Sequence, residues 1–218
     1  MSSTPCSFPT EVIERIIDIF GDISRTLQSF TLSCRALLPR ARLHLFTRIR
    51  ICTLEQTLSA SRFIDDRPWH PSLVQGVTVS TDPDGEAPCA HLEAVPVSLF
   101  TKLPNLSAWK IVDSRIHGRD GGTFLLHQRA LSGFKHYGTK LQCLAISGLE
   151  FPSLGDLERL LLAFSDVRSL ECVGCRVSAR VPRAAIEDLI QQRLIKHLKH
   201  LSRLSVSIVC TSLASAQL

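Results

Sequence analysis

One phrase recurs along the chain and limits what it can become. It is an apolar residue, another three places on, a third at five, and often a fourth at ten. Leu106, Trp109, Ile111 and Ile116 fit it, as do Leu141, Leu144, Ile146 and Phe151, and Val167, Leu170, Cys172 and Val177. Val74, Val77 and Val79 fill the first three places, and so do Leu201, Leu204 and Val206. Side chains alternate along a strand, so the +3 and +5 residues share one face and the residues between them take the other. A short strand with one buried face, repeated five times, calls for stacked units that each cover a neighbour's apolar edge.

Helices are expected between the strands. Ser153-Leu154-Gly155-Asp156 has the form of a capped start, and Leu157, Leu160, Leu161 and Phe164 follow at i, i+3, i+4 and i+7. Ile186, Leu189, Ile190, Leu194 and Leu198 make a similar stripe, and Phe124 to Phe134 a shorter one. The +3 places at 77, 109, 144, 170 and 204 are 32, 35, 26 and 34 residues apart, so the connections must vary in length. Turn composition puts the clearest loops at Ser80 to Pro88 and Gly118 to Gly122. Asp82-x-Asp84-Gly85 lacks the further ligands and closing glutamate of a calcium loop and reads as a turn.

In form the phrase resembles the leucine-rich repeat, L-x-x-L-x-L-x-x-N/C-x-L. That resemblance implies an α/β solenoid with parallel strands on the concave side and helices on the convex side. It also implies that Cys175, at the +8 place, bonds loop backbone. The +2, +4 and +6 side chains would face out on the concave side: Ala108, Lys110 and Val112; Cys143, Ala145 and Ser147; Ser169, Glu171 and Val173; Arg203, Ser205 and Ser207. Such surfaces bind partners, which makes Lys110, Glu171, Arg203 and Ser205 the candidate target-binding residues. The same small, mild residues also suit a face that is simply solvated.

Cys172-Val173-Gly174-Cys175 invites a zinc or redox reading. No second such pair and no paired histidines supply the remaining ligands, and both cysteines already have places in the repeat phrase, so no metal is expected.

The N-terminal segment follows a different period. From Phe8 to Phe20, Ile13, Ile16, Ile17 and Phe20 form one helical stripe, with Pro9 suited to the first helical position and Glu11 in the first turn. Gly21-Asp22 ends that helix. Ser24 suits the cap of a second helix carrying Leu27, Phe30 and Cys34, and Pro39 opens a third carrying Leu38, Ala41 and Leu45. After Phe46, Thr47 to Cys52 alternates as a half-buried strand with Ile49 and Ile51 inward, and Leu54 to Asp65 suits a helix that Pro68 and Pro71 stop.

The run Phe8-Pro9-Thr10-Glu11-Val12-Ile13-Glu14-Arg15-Ile16-Ile17, then Leu27, Leu32-Ser33-Cys34-Arg35-Ala36-Leu37 and Leu38-Pro39-Arg40-Ala41-Arg42, resembles an F-box. It is most similar to the F-box-like segments that open many leucine-rich proteins of mushroom-forming fungi. Phe8, Ser33 and Leu37 stand where that pattern has leucine, valine and tryptophan. The resemblance implies a three-helix module over 7–46 that docks a Skp-type adaptor, and through it a cullin and a RING subunit, followed by the repeats over 47–218. Carried over by position, the adaptor contact falls on Phe8, Pro9, Ile13, Ile16, Leu32, Cys34 and Leu37. The implied role is the substrate-recognition subunit of a ubiquitin ligase, the repeats holding an unknown target protein. The alternative is an interaction scaffold without a ligase role, its worn helical module acting only as a cap.

The remaining features narrow the field. At 218 residues and 44% hydrophobic content the chain can bury a core without disulfide staples. The N-terminus has no basic region before an apolar stretch, so the expectation is a cytoplasmic or nuclear protein whose eight cysteines are reduced thiols. The uncharged run from Leu204 to Leu218 is too short and too polar to span a membrane. It also follows a strand phrase with no capping helix, which for a solenoid implies either a covering partner or truncation. No nucleophile elbow, phosphate loop, dinucleotide fingerprint or H-E-x-x-H occurs, and His197 and His200 suit a solvated helix face, so neither catalysis nor a cofactor is expected. Arg35, Arg40, Arg42, Arg48 and Arg50 bunch together. They suit a nucleic-acid patch or the solvated face of one helix and one strand, and the second is the expectation.

Overall fold

The computed structural model describes residues 9–21, 23–33, 35–81, 90–113, 127–179 and 181–210. Ile116, the Asp82–Gly85 and Gly118–Gly122 turns, Phe124 and the last eight positions lie outside them. The chain forms two compact units, Met1–Ile49 and Arg50–Leu218.

Among the described residues the first unit has three helices, α1 (Thr10–Ile19), α2 (Ser24–Ser33) and α3 (Leu38–Thr47). Pro9 occupies the cap position before α1 rather than its first turn, and its carbonyl accepts from the amides of Val12 and Ile13. Ser24 is the first residue of α2 and not its cap; the carbonyl of Ile23 takes the amide of Leu27. The core is small: Ile17, Leu27 and Ala41 are buried, with Ile13, Phe30, Leu37 and Leu45 packed against them. Phe20 meets Phe30 edge-on at 6.0 Å between ring centres. A polar clasp closes α1 onto α3. Asp18 accepts from Nε and Nη2 of Arg40, both at 2.7 Å, and lies 2.7 Å from Nε2 of His44. The hydrogen bonds from Arg40, then the contact with His44, hold the Asp18 carboxyl well below the usual carboxylate range. Gly21 makes room for the clasp, since a Cβ there would meet Nδ1 of His44 at 2.8 Å.

Among the described residues the sheet has seven strands: β1 (Arg48–Ile51), β2 (Gly76–Ser80), β3 (Ala108–Val112), β4 (Cys143–Ser147), β5 (Glu150–Phe151), β6 (Ser169–Val177) and β7 (Arg203–Cys210). Their order is β1-β2-β3-β4-β6, with β5 and β7 both paired to β6, and β2 to β7 are joined by parallel pairings. The chain is therefore α/β.

The register aligns the recurring phrase with itself. Val77, Trp109, Leu144, Leu170 and Leu204 are successive partners across the strands, and Val79, Ile111, Ile146, Cys172 and Val206 form the next row. Both rows are buried through β6 and half-buried at β7. Fully burying one such side chain stabilises by about 1.5–3 kcal/mol, so the rows are what hold the register.

The backbone repeats as well. The carbonyl of Gln75 accepts from the amides of Ser107 and Ala108 at 2.9 and 3.0 Å, and that of Ser107 from Gln142 and Cys143 at 2.8 and 2.9 Å. The Gln142 carbonyl takes Arg168 and Ser169 at 2.7 and 2.9 Å, and the Arg168 carbonyl takes Ser202 and Arg203 at 2.8 and 3.0 Å. One forked carbonyl at the +1 place thus joins each recurrence of the phrase to the next.

Helices cover the apolar face of the sheet. α4 (Leu54–Asp65) starts at Thr53, whose side chain accepts from the Gln56 amide. α5 (Ala90–Val95) continues into a π-helical turn, Pro96–Phe100, and α6 (Gln128–Tyr137) is capped by His127 and ends in a 3-10 turn, Gly138–Lys140. α7 (Leu154–Leu161) starts at the expected Ser153, whose Oγ takes the Asp156 amide at 3.2 Å. α8 (Arg183–Asp188) widens into a π-helical turn, Leu189–Leu194, before the short α9 (Ile195–His197). Leu157, Leu160, Leu161, Phe164, Leu189, Leu194 and Leu198 are all buried. At the centre Trp109 packs on Phe100, Phe134 and Phe164 at ring-centre distances of 5.4, 4.8 and 5.6 Å. Where strands end, Cys52 Sγ lies 3.0 Å from Ser80 Oγ, His91 Nε2 lies 3.1 Å from the Ser80 carbonyl, and Thr81 donates to Asp113 at 2.7 Å. These contacts satisfy polar groups that would be expensive to bury alone.

Candidate functional site

Each unit carries its own candidate surface. In the helical unit, α1 and its C-cap Phe20 have apolar residues at 12, 13, 16, 17, 19 and 20, which is two stripes rather than one. Ile13, Ile17 and Phe20 turn inward; Val12, Ile16 and Ile19, at i, i+4 and i+7, share the neighbouring face and are exposed. Ile23 and Leu32 are exposed too, Leu32 at 88%. A unit this small has little interior, and a second apolar stripe left in solvent has the character of a docking face.

The expected adaptor residues divide on this surface. Pro9, Ile16 and Leu32 stand out in solvent. Ile13 and Leu37 are half-buried against the unit's own core, so much of their apolar area is already used. Phe8 and Cys34 lie outside the described residues. Val12, Ile19 and Ile23 were not among the expected contacts, although the i, i+4, i+7 spacing of 12, 16 and 19 is readable in the sequence. The basic cluster is weaker than its count suggests, because Arg40 is committed to Asp18.

In the second unit, the sheet face away from the helices is open. Lys110, Ala145, Glu171 and Ser205 are partners in one row across β3, β4, β6 and β7, and Ala108, Cys143, Ser169 and Arg203 form the row beside it. Lys110, Glu171, Arg203 and Ser205 are all exposed, which brings the four expected target-binding residues onto one surface. The side chains of Lys110, Glu171 and Arg203 make no hydrogen bond or ion pair with a described residue, whereas Lys102 bonds Asp65, Arg193 bonds Glu158 and Arg159 bonds Asp156 elsewhere. Their charges are unspent. Cys143 places an exposed free thiol between them.

The Cys172–Cys175 pair lies on the buried side. The register shifts between these two residues, and Gly174 takes a positive φ of 63° to make the bulge. The Cys175 Sγ–H donates to the Ile146 carbonyl at 3.8 Å, which belongs to strand β4 rather than to the loop backbone that the resemblance implied. The hydrogen bond with Cys175 and then burial push the Cys172 thiol well above its usual range. A thiol held protonated and out of solvent is a poor ligand and a poor nucleophile. Among the described residues no group of three or more His, Cys, Asp or Glu side chains is arranged to hold a metal ion. Among them, too, no helix is long and apolar enough to cross a membrane.

Neither a protein-family model nor a curated protein matches the sequence.

Proposed function

We propose that this chain is the substrate-recognition subunit of a Skp-cullin-RING type ubiquitin ligase, cytoplasmic or nuclear. Its F-box-like helices dock a Skp-type adaptor, its leucine-rich repeats hold a target protein, and the transfer chemistry belongs to other subunits. In this arrangement the chain contributes proximity rather than catalysis. The observation that carries the reading is the second apolar stripe of α1, Val12, Ile16 and Ile19, exposed on a separate compact helical unit together with Leu32. A helix that presents apolar anchors at i, i+4 and i+7 fits a groove on a partner. The forked +1 carbonyls and the aligned +3 and +5 rows support the repeat half of the reading.

Co-expression with a Skp-type adaptor tests it. The wild-type chain is expected to co-purify with the adaptor, and Ile16→Asp with Leu32→Asp to lose it while keeping wild-type circular dichroism. A folded wild-type chain that captures no adaptor ends the ligase assignment. The scaffold alternative is supported by Leu37, which stands at the place of the family's tryptophan and is turned into the unit's own core.

A further inference from the structure

Lys110, Glu171 and Arg203 carry charges without side-chain partners on the open sheet face, and their spacing selects a shape. Lys110 on β3 and Glu171 on β6 are two strand intervals apart with Ala145 between them. At about 4.8 Å per interval their Cα atoms are separated by about 10 Å. Arg203 is one strand further and two residues back along its strand from Ser205, the partner of Glu171. With a rise of about 3.3 Å per residue, that puts it about 16 Å from Lys110.

An α-helix advances about 1.5 Å per residue, so these separations correspond to about seven and eleven residues, or two and three turns, and all three positions lie on one helix face. An extended segment would need about three and five residues, and alternation would turn at least one of those side chains away from the sheet. The lane between the charges is lined by Ala108, Cys143, Ala145 and Ser169, side chains small enough to let a helix approach closely.

We propose that the open face receives an α-helix of the target protein, laid across the strands, that presents an acidic residue at i to Lys110, a basic residue at i+7 to Glu171 and an acidic residue at i+11 to Arg203. This rests on the reading of the repeats as the target-binding half of the molecule. Exposed ion pairs contribute little in solvent and more once a partner excludes water from them, so the charges set orientation and choice of partner more than raw affinity.

The probe is a fluorescent alanine-based helical peptide carrying Glu, Lys and Glu at i, i+7 and i+11. It is compared by anisotropy with its charge-inverted twin, using the full chain. The matched peptide is expected to bind about tenfold more tightly, a few-fold from each pair. The triple variant Lys110→Glu, Glu171→Lys, Arg203→Glu is expected to reverse the preference. All three sites are exposed, so the variant should keep the native Trp109 fluorescence. Equal binding of the two peptides, no binding of either, or an unreversed preference in a folded variant overturns the proposal. Adaptor capture, measured on the same variant, reads the helical unit alone, so a failure here is distinguishable from a failure of the ligase assignment.

Discussion

Replacing Gly138 with alanine isolates a packing demand from a backbone one. Gly138 has φ of −80° and ψ of −2°, a conformation any residue adopts. By conformational entropy alone the substitution would stabilise by about 0.4–1 kcal/mol. A Cβ at this position, however, would lie 2.6 Å from Cδ1 and 2.7 Å from Cε1 of Phe164. That ring is fully buried and already fixed by Trp109 at 5.6 Å and Phe134 at 5.8 Å between ring centres, so it has nowhere open to turn. Overpacking of this kind typically costs about 1–3 kcal/mol, which outweighs the entropic gain. The net expectation is a loss of about 1–2 kcal/mol, or roughly 3–6 °C in melting temperature for a unit of this size. Trp109 sits in the same cluster, so its fluorescence during urea unfolding follows the right part of the molecule; Trp69 is half-exposed and changes less. Gly155→Ala is the control, because its Cβ would meet only Ser153 Oγ at 3.6 Å, and it should be neutral or stabilising. Phe164→Leu should relieve part of the Gly138→Ala penalty when the two are combined. An unfolding midpoint for Gly138→Ala equal to or above wild type would refute the reasoning.

Other outcomes follow from single contacts. The Asp18 carboxyl is held below its unfolded range, so its contribution to the helical unit is present above about pH 4 and fades as pH falls below that through the lower folded value; Asp18→Asn should remove that acid-sensitive component from a circular dichroism titration. Gly148→Ala should destabilise more than Gly174→Ala. Both positions have positive φ, at 74° and 63°, but a Cβ at 148 would also meet the Asp113 carbonyl at 3.0 Å while one at 174 meets nothing within 4 Å; denaturation midpoints rank them. Cys143 should react with a thiol reagent in the native protein, and Cys172 and Cys175 only on unfolding; fast native labelling of the buried pair, or stoichiometric zinc in tag-free protein, would contradict the structural role assigned to it.

The repeat phrase was legible because burial of an alternating pattern leaves little freedom of register. Each +3 and +5 residue named from spacing is buried from β2 to β6, and each intervening residue on the target list is exposed. α4 and the Ser153 start could be read for a similar reason, since caps and breakers act within one helical turn. The N-terminal unit was harder. Its helices were readable, but which of two adjacent stripes on α1 faces inward depends on where α2 and α3 pack, so Ile13 was expected outside and Ile19 was not. Pro9 and Ser24 each shifted by one position at a helix start, where amide acceptors near the boundary compete.

The sequence by itself determined the period of the strands, the face each would bury and the places of α4 and α7, because these follow from local alternation, spacing and caps; α5, between β2 and β3, was not expected. Only the tertiary structure decided what lies beside what. The Asp18–Arg40–His44 clasp joins residues 22 and 26 positions apart. The forked carbonyls run between successive recurrences of the phrase, and the row that sets Lys110, Ala145 and Glu171 abreast is built from three strands. Such contacts depend on loop lengths and on packing between distant segments, and no local pattern encodes them.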